Sequence, residues 1–138
     1  GAPGLYLLPR IPGNSMKIQN DASLGIRLTN GAHSFLLCGD ISKSIEAEIL
    51  ASGVRIRSDV LKLNHHGSSD ANSWEFLKAV DPSFVVVTCA PRNEFGHPHE
   101  KSDEESGKTG GQAFFRTDRQ GAIVFDSDGE TTEEQYGA

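Results

Sequence analysis

Four histidines and one aspartate in this 138-residue chain stand in short glycine-rich contexts that suit ligand chemistry. Residues 61–70 read LKLNHHGSSD, so His65 and His66 sit where an apolar run stops. Asp40 follows Gly39 at the end of another apolar run, and His97 and His99 flank Pro98 in GHPH. One carboxylate with up to four imidazoles suits a borderline divalent ion such as zinc or manganese. Gly67, Ser68 and Ser69 would leave room for a ligand above it. Each group also has an ordinary alternative. Asp40 alone is a good helix N-cap. A His-His pair is usually a solvated turn, GHPH fits a surface loop, and His33 in a hairpin turn reads as unremarkable.

These groups are far apart in sequence, so the surrounding elements must bring them together. SLGIRLTNGAHSFLLCGD holds two apolar runs joined through Asn30-Gly31, a β-hairpin signal. SKSIEAEILASG predicts an amphipathic helix at about 42–52. Ile45, Ile49 and Ser52 share a face, flanked by Ala47, Leu50 and Ala51, with Gly53 as a left-handed C-cap. SDVLKLN reads as a strand. ANSWEFLKAVDP predicts a helix at about 72–80, with Asn72 and Glu75 at capping-box spacing and Pro82 beyond its end. FVVVTC is a β-branched run typical of a buried strand.

The alternation of strand and helix over residues 34–89 implies parallel strands with right-handed crossovers. Parallel neighbours end on the same edge of a sheet, where open α/β folds keep their sites. Asp40, the His65-His66 pair and the loop with His97 and His99 are thereby delivered to one edge. The Asp40 carboxylate is expected within about 8 Å of an imidazole of His65 or His66, the spread a shared metal or bridging water allows.

The rest of the chain is less ordered in pattern. Residues 1–22 read as an extended N-terminal segment with one edge strand, and 100–111 as a mobile loop. QAFFRT and AIVFDS predict a second hairpin around DRQG. Residues 127–138 form an acidic, frayed tail in which TTEEQY adds a short strand. The fold class is α/β in a single domain, 1–138: a mixed sheet with a parallel βαβαβ centre flanked by antiparallel hairpins.

Net charge is −6 with no lysine or arginine cluster, which excludes a general electrostatic grip on nucleic acid. Nucleic acid stays open as a substrate, because a metal can supply positive charge locally. Cys38 and Cys89 read as buried free thiols. No stretch approaches the roughly 20 apolar residues needed to cross a bilayer, and GLYLLPRIPG lacks the form of a signal peptide. A cytoplasmic protein, or a soluble fragment of a larger one, is expected.

Together NDASLGIRLTNGAHSFLLCGDI, DVLKLNHHGSS, GHPH and FFRTDRQGAIVF resemble the C-terminal half of the metallo-β-lactamase-fold domain of ComEC-type competence proteins. The resemblance runs from about Asn20 to Phe125, and the ordered combination is more specific than any one part. It implies half of an αββα sandwich and a di-metal hydrolase centre held to cut the DNA strand that is not imported. By position, Asp40 matches the aspartate that bridges the two metals, and one of His65 and His66 matches the last histidine ligand. His97 and His99 match a loop beside the site. The family's first metal motif, an H-x-H-x-D-H run, has no counterpart, since residues 1–33 contain only His33. Its helix after GHPH is replaced by EKSDEESGKTGG, and its membrane channel domain is not in this chain. The resemblance thus implies a partial domain whose sheet has one uncovered face.

Two functions follow as expectations. The first is a binding or assembly module without an intact metal site, working as a homodimer or with a partner that supplies the missing half. DNA enters as a partner by the resemblance alone. The second is a metal-dependent phosphodiester hydrolase, complete only with a partner chain or missing segment. Metal binding by this chain alone should be weak, because one carboxylate and one or two imidazoles fall short of a three-ligand platform.

Overall fold

The computed structural model describes residues 4–7, 23–99, 113–130 and 132–136. Most of the N-terminal segment and the loop expected at 100–111 lie outside the described residues. A six-stranded sheet has the order β1-β2-β3-β4-β5-β6. β1 (Gly4–Leu7) is its edge strand and pairs antiparallel with β2 (Ile26–Asn30), which turns into β3 (His33–Leu37). The turn is the one Asn30-Gly31 announces, with Gly31 at φ +58°. A Cβ there would stand 2.5 Å from the Gly129 carbonyl oxygen, so glycine is required twice over.

β4 (Val60–Lys62), β5 (Phe84–Val87) and β6 (Ala113–Arg116) follow β3 in parallel. The crossovers contain α1 (Lys43–Ala51) and α2 (Trp74–Val80). Both helices cover one face. Ile45 and Ile49 of α1 and Phe76, Leu77 and Val80 of α2 are buried with Leu36, Leu61, Val85 and Val87 of the strands. The two-residue alternation along β5, with Val85 and Val87 buried and Phe84 and Val86 half-buried, sets which side faces the helices. No helix among the described residues is long and apolar enough to cross a membrane.

Several expectations are corrected. The second hairpin does not form: β6 joins β5 in parallel, and β7 (Ile123–Ser127) pairs instead with β8 (Thr132–Tyr136). The tail is therefore strand at 132–136. Asp118, Arg119 and Gln120 lie in a helical turn, α3 (Thr117–Gln120). Arg116 donates to the Asp118 carboxylate at 2.7 and 3.0 Å, while Thr117 Oγ1 bonds the backbone of Cys89 at both N and O. These bonds tie the end of β6 to the end of β5, and two apolar runs around a polar tetrapeptide cannot reveal that choice of partner.

The second sheet face is covered only in part, by the β7–β8 pair. Phe125 of β7 packs against Phe35, Phe84 and Phe115, with ring centroids 6.5, 5.6 and 6.1 Å away. His33 and Asn30 anchor this strand pair through Ser127. Leu28 and Leu37 remain 39% and 36% exposed beside it.

The cap of α2 is Ser73, whose hydroxyl accepts from the Phe76 N–H, rather than Asn72. Asn72 is buried at φ +61° and serves the site described below. Both cysteines are free, but only Cys38 is fully buried, Cys89 being half-exposed at the sheet edge.

Candidate functional site at the parallel sheet edge

β3, β4 and β5 stop at residues 37, 62 and 87, and each hands on to a polar turn at the same edge. After β3 the chain reverses at Gly39 (φ +65°), and Ser23 Oγ accepts from the Asp40 N–H at 3.1 Å. Asp40 caps nothing: the N-cap of α1 is Ser42. After β4 a tight left-handed turn runs over residues 64–67, with His65 at φ 49°, His66 at φ 52° and Gly67 at φ 76°. A left-handed conformation costs a non-glycine residue about 1–2 kcal/mol, so two adjacent histidines need strong external support to hold it.

That support comes from a buried carboxylate. Glu46, one residue after Ile45 on the buried side of α1, is fully buried. Its Oε2 accepts from Asn64 Nδ2 at 2.9 Å and from the Asn72 N–H at 2.6 Å, and its Oε1 accepts from the Ser73 N–H at 2.8 Å. Asn64 and Asn72 also exchange two bonds: Asn64 N–H donates to Asn72 Oδ1 and Asn72 Nδ2 to the Asn64 carbonyl. Burial raises the Glu46 carboxyl above its ordinary value of 4.5, with these donors pulling it back. Burial also pushes the nearby Cys38 thiol up to about 12, with Glu46 adding to the rise. The trio Glu46, Asn64 and Asn72 escapes a reading of sequence that looks for ligand residues. Its one signal is a carboxylate on the apolar stripe of α1, beside Ile45 and Ile49.

The turn so held aims His66 at Asp40. His66 Nδ1 lies 2.7 Å from the Thr88 carbonyl oxygen and 3.1 Å from Thr88 Oγ1. A carbonyl only accepts, so Nδ1 carries the proton and Nε2 is left with its lone pair. Nε2 faces Asp40 Oδ1 at 3.5 Å. Two acceptors at that distance, both partly exposed, leave space that a bridging water or a metal ion would fill. Two donors bound about 2.1 Å from one tetrahedral ion lie about 3.4 Å apart, and a carbonyl on the remote nitrogen is the usual support for a metal-bound imidazole.

The other imidazoles gather without completing a donor set. His97 lies 5.5 Å from His65, 6.2 Å from His66 and 4.8 Å from His99, ring centre to ring centre. Burial, followed by His99, His65 and His66, holds its imidazole below the usual range, against the pull of Asp40. His99 uses both ring nitrogens: Nδ1 accepts from the Ser69 N–H at 2.8 Å, and Nε2 donates to the Phe95 carbonyl at 3.0 Å. It clamps the GHPH loop to the turn, with its own N–H on the Gly67 carbonyl. Among the described residues no group of three or more histidine, cysteine, aspartate or glutamate side chains is arranged to hold a metal ion. Asp40 and His66 fit two positions of such a site, and that set is too small to carry a catalytic step.

This is an α/β protein whose mixed sheet gathers a carboxylate and several imidazoles at the ends of its parallel strands. By sequence it is similar to competence proteins. It is 34% identical over 95 residues to ComE operon protein 3 of Bacillus subtilis, covering 69% of this chain and 12% of that protein. To Competence protein ComA of Neisseria gonorrhoeae it is 33% identical over 107 residues, 77% of this chain and 15% of that protein. To Recombination protein 2 of Haemophilus influenzae it is 31% identical over 97 residues, 70% and 12% respectively. These similarities link the chain to the competence proteins, of whose length it spans 12 to 15%. No protein-family model matches it.

Proposed function

We propose that this chain acts in DNA processing during competence, as the part of a metallo-β-lactamase-like phosphodiester hydrolase that carries one half of the metal centre. Alone it is a binding scaffold and not a complete catalyst. The single observation that carries this reading is the Asp40–His66 pair, 3.5 Å apart, with the His66 tautomer set by Thr88. The remaining ligands would come from a partner chain or from further sequence like that of its relatives. His65 and His97 stand beside the pair as reserve donors, and zinc or manganese suits the mixture of imidazole and carboxylate.

Calorimetric titration of zinc and manganese into metal-stripped protein tests this, beside an Asp40→Ala, His65→Ala, His66→Ala triple variant. Weak binding that the triple variant loses is the expected result. Equal binding by both proteins would overturn it.

A second observation supports assembly as part of that role. Leu28 and Leu37 line a groove of about 320 Å³ on the second sheet face, next to Ile123 and Phe125. An exposed apolar face of this kind suits a second copy of the chain or the polypeptide that supplies the missing half. Light scattering at micromolar concentration would detect the homodimer, and a strict monomer would leave only the second partner.

A further inference from the structure

The ring of Phe95 stands largely outside the core. It is 66% exposed, yet the turn that presents it is tightly held. Asn93 Nδ2 donates to the carbonyls of Ala90 and His97, its Oδ1 accepts from the His97 N–H, and His99 Nε2 bonds the Phe95 carbonyl. Phe95 stacks on His97 at 5.6 Å and 23°, and His97 stacks on His66 at 6.2 Å and 19°. The three rings form a graded stack running from the solvent to the Asp40–His66 pair. Alongside it opens a pocket of about 490 Å³, whose walls include Phe95, His97, His66, Asn93, Thr88 and Thr117. That volume falls within the range that holds a small organic ligand.

We propose that this pocket binds a nucleobase of single-stranded nucleic acid, stacked on Phe95, next to the phosphate that the Asp40–His66 edge would receive. The proposal rests on the phosphodiester reading of that edge and names a binding subsite for its substrate. The polar atoms of the wall favour stacking over base readout. Both Asn93 Nδ2 protons are used, Thr88 Oγ1 bonds His66, and Thr117 Oγ1 bonds the Cys89 backbone, which leaves the ring nitrogens of His97 as the main polar atoms of the wall. A planar ring is thus received mainly through its face, the stacking half of sequence-tolerant single-strand binding. With net charge −6 the protein adds little general attraction for phosphate, so the stack must provide most of the grip. Binding should accordingly depend on salt much less than usual.

The test is amide NMR of metal-free protein titrated with tetradeoxyadenylate, with indole as an apolar control. Shifts concentrated at residues 88–97, an affinity about tenfold lower in Phe95→Ala and one retained in Phe95→Tyr are the expected results. Equal binding by Phe95→Ala, or shifts elsewhere, would overturn the proposal. Indole binding as well as the oligonucleotide would mark a general apolar pocket and also overturn it. Asp40→Asn separates the two readings: it removes the metal donor and leaves the stack intact. Asp40→Asn should lose metal binding and keep the oligonucleotide; a parent that binds the oligonucleotide but no metal sinks only the half-site, and one that binds metal but not the oligonucleotide sinks only this subsite.

Discussion

Gly67 and Pro98 are packed so closely that no side chain fits between them. A Cβ at position 67 would stand 2.5 Å from Pro98 Cβ and 3.2 Å from its Cα, and Gly67 also holds φ +76°. This contact, with the His99 N–H on the Gly67 carbonyl, docks the GHPH loop onto the His-His turn. Gly67→Ala should destabilise the protein by about 1–3 kcal/mol, from backbone strain and the collision together. Denaturant unfolding measures it, and Pro98→Gly in the same chain should recover part of the loss. A neutral Gly67→Ala would contradict the packing.

Glu46 should be the most sensitive polar position in the fold. Glu46→Ala leaves Asn64 Nδ2 and the N–H groups of Asn72 and Ser73 without their acceptor inside the protein. A loss of at least about 3 kcal/mol is expected, since each buried unsatisfied donor costs about 1–3 kcal/mol. Unfolding free energies of the variant and the parent decide it.

The same carboxyl gives a pH dependence with a definite sign. Its folded value is raised above 4.5, so on acidification the folded state takes up the proton first. Stability from this group is fully present below 4.5 and is lost as pH rises through the folded value. The parent should therefore gain on Glu46→Gln as pH falls toward 4.5. Carboxyl carbon NMR of Glu46 with a midpoint at or below 4.5 would refute this.

His33 holds the β7–β8 pair on the sheet through its Nδ1, 2.6 Å from Ser127 Oγ. His33→Ala should cost about 1 kcal/mol and speed hydrogen exchange at residues 123–127. Ser127→Ala should cost more, because Ser127 Oγ also accepts from Asn30 Nδ2 and the Gly129 N–H, and adding His33→Ala to it should change little, since their shared bond is already gone. Additive effects would show that the two side chains act separately.

Local pattern was enough for much of this protein. Asn30-Gly31 dictates its hairpin because only certain residues accept its backbone, and Gly53 ends α1 at φ +73° for the same reason. Strand and helix periodicity from residue 34 to 89 implies the parallel centre, and parallel strands deliver Asp40 and the His65-His66 pair to one edge without saying which histidine faces the carboxylate. Other features depend on which segments meet, and local pattern is silent about that. β6 chose β5 over β7 because Thr117 and Phe114 fit there, though AFFR reads equally well in either pairing. Asn72 has the spacing of a cap, but a buried carboxylate 26 residues away offers its N–H a stronger partner. The left-handed His65-His66 turn, the tautomer that Thr88 imposes and the exposure of Phe95 likewise arise from contacts between distant residues. Sequence spacing determined which groups share an edge. Only tertiary hydrogen bonding decided which way each of them points.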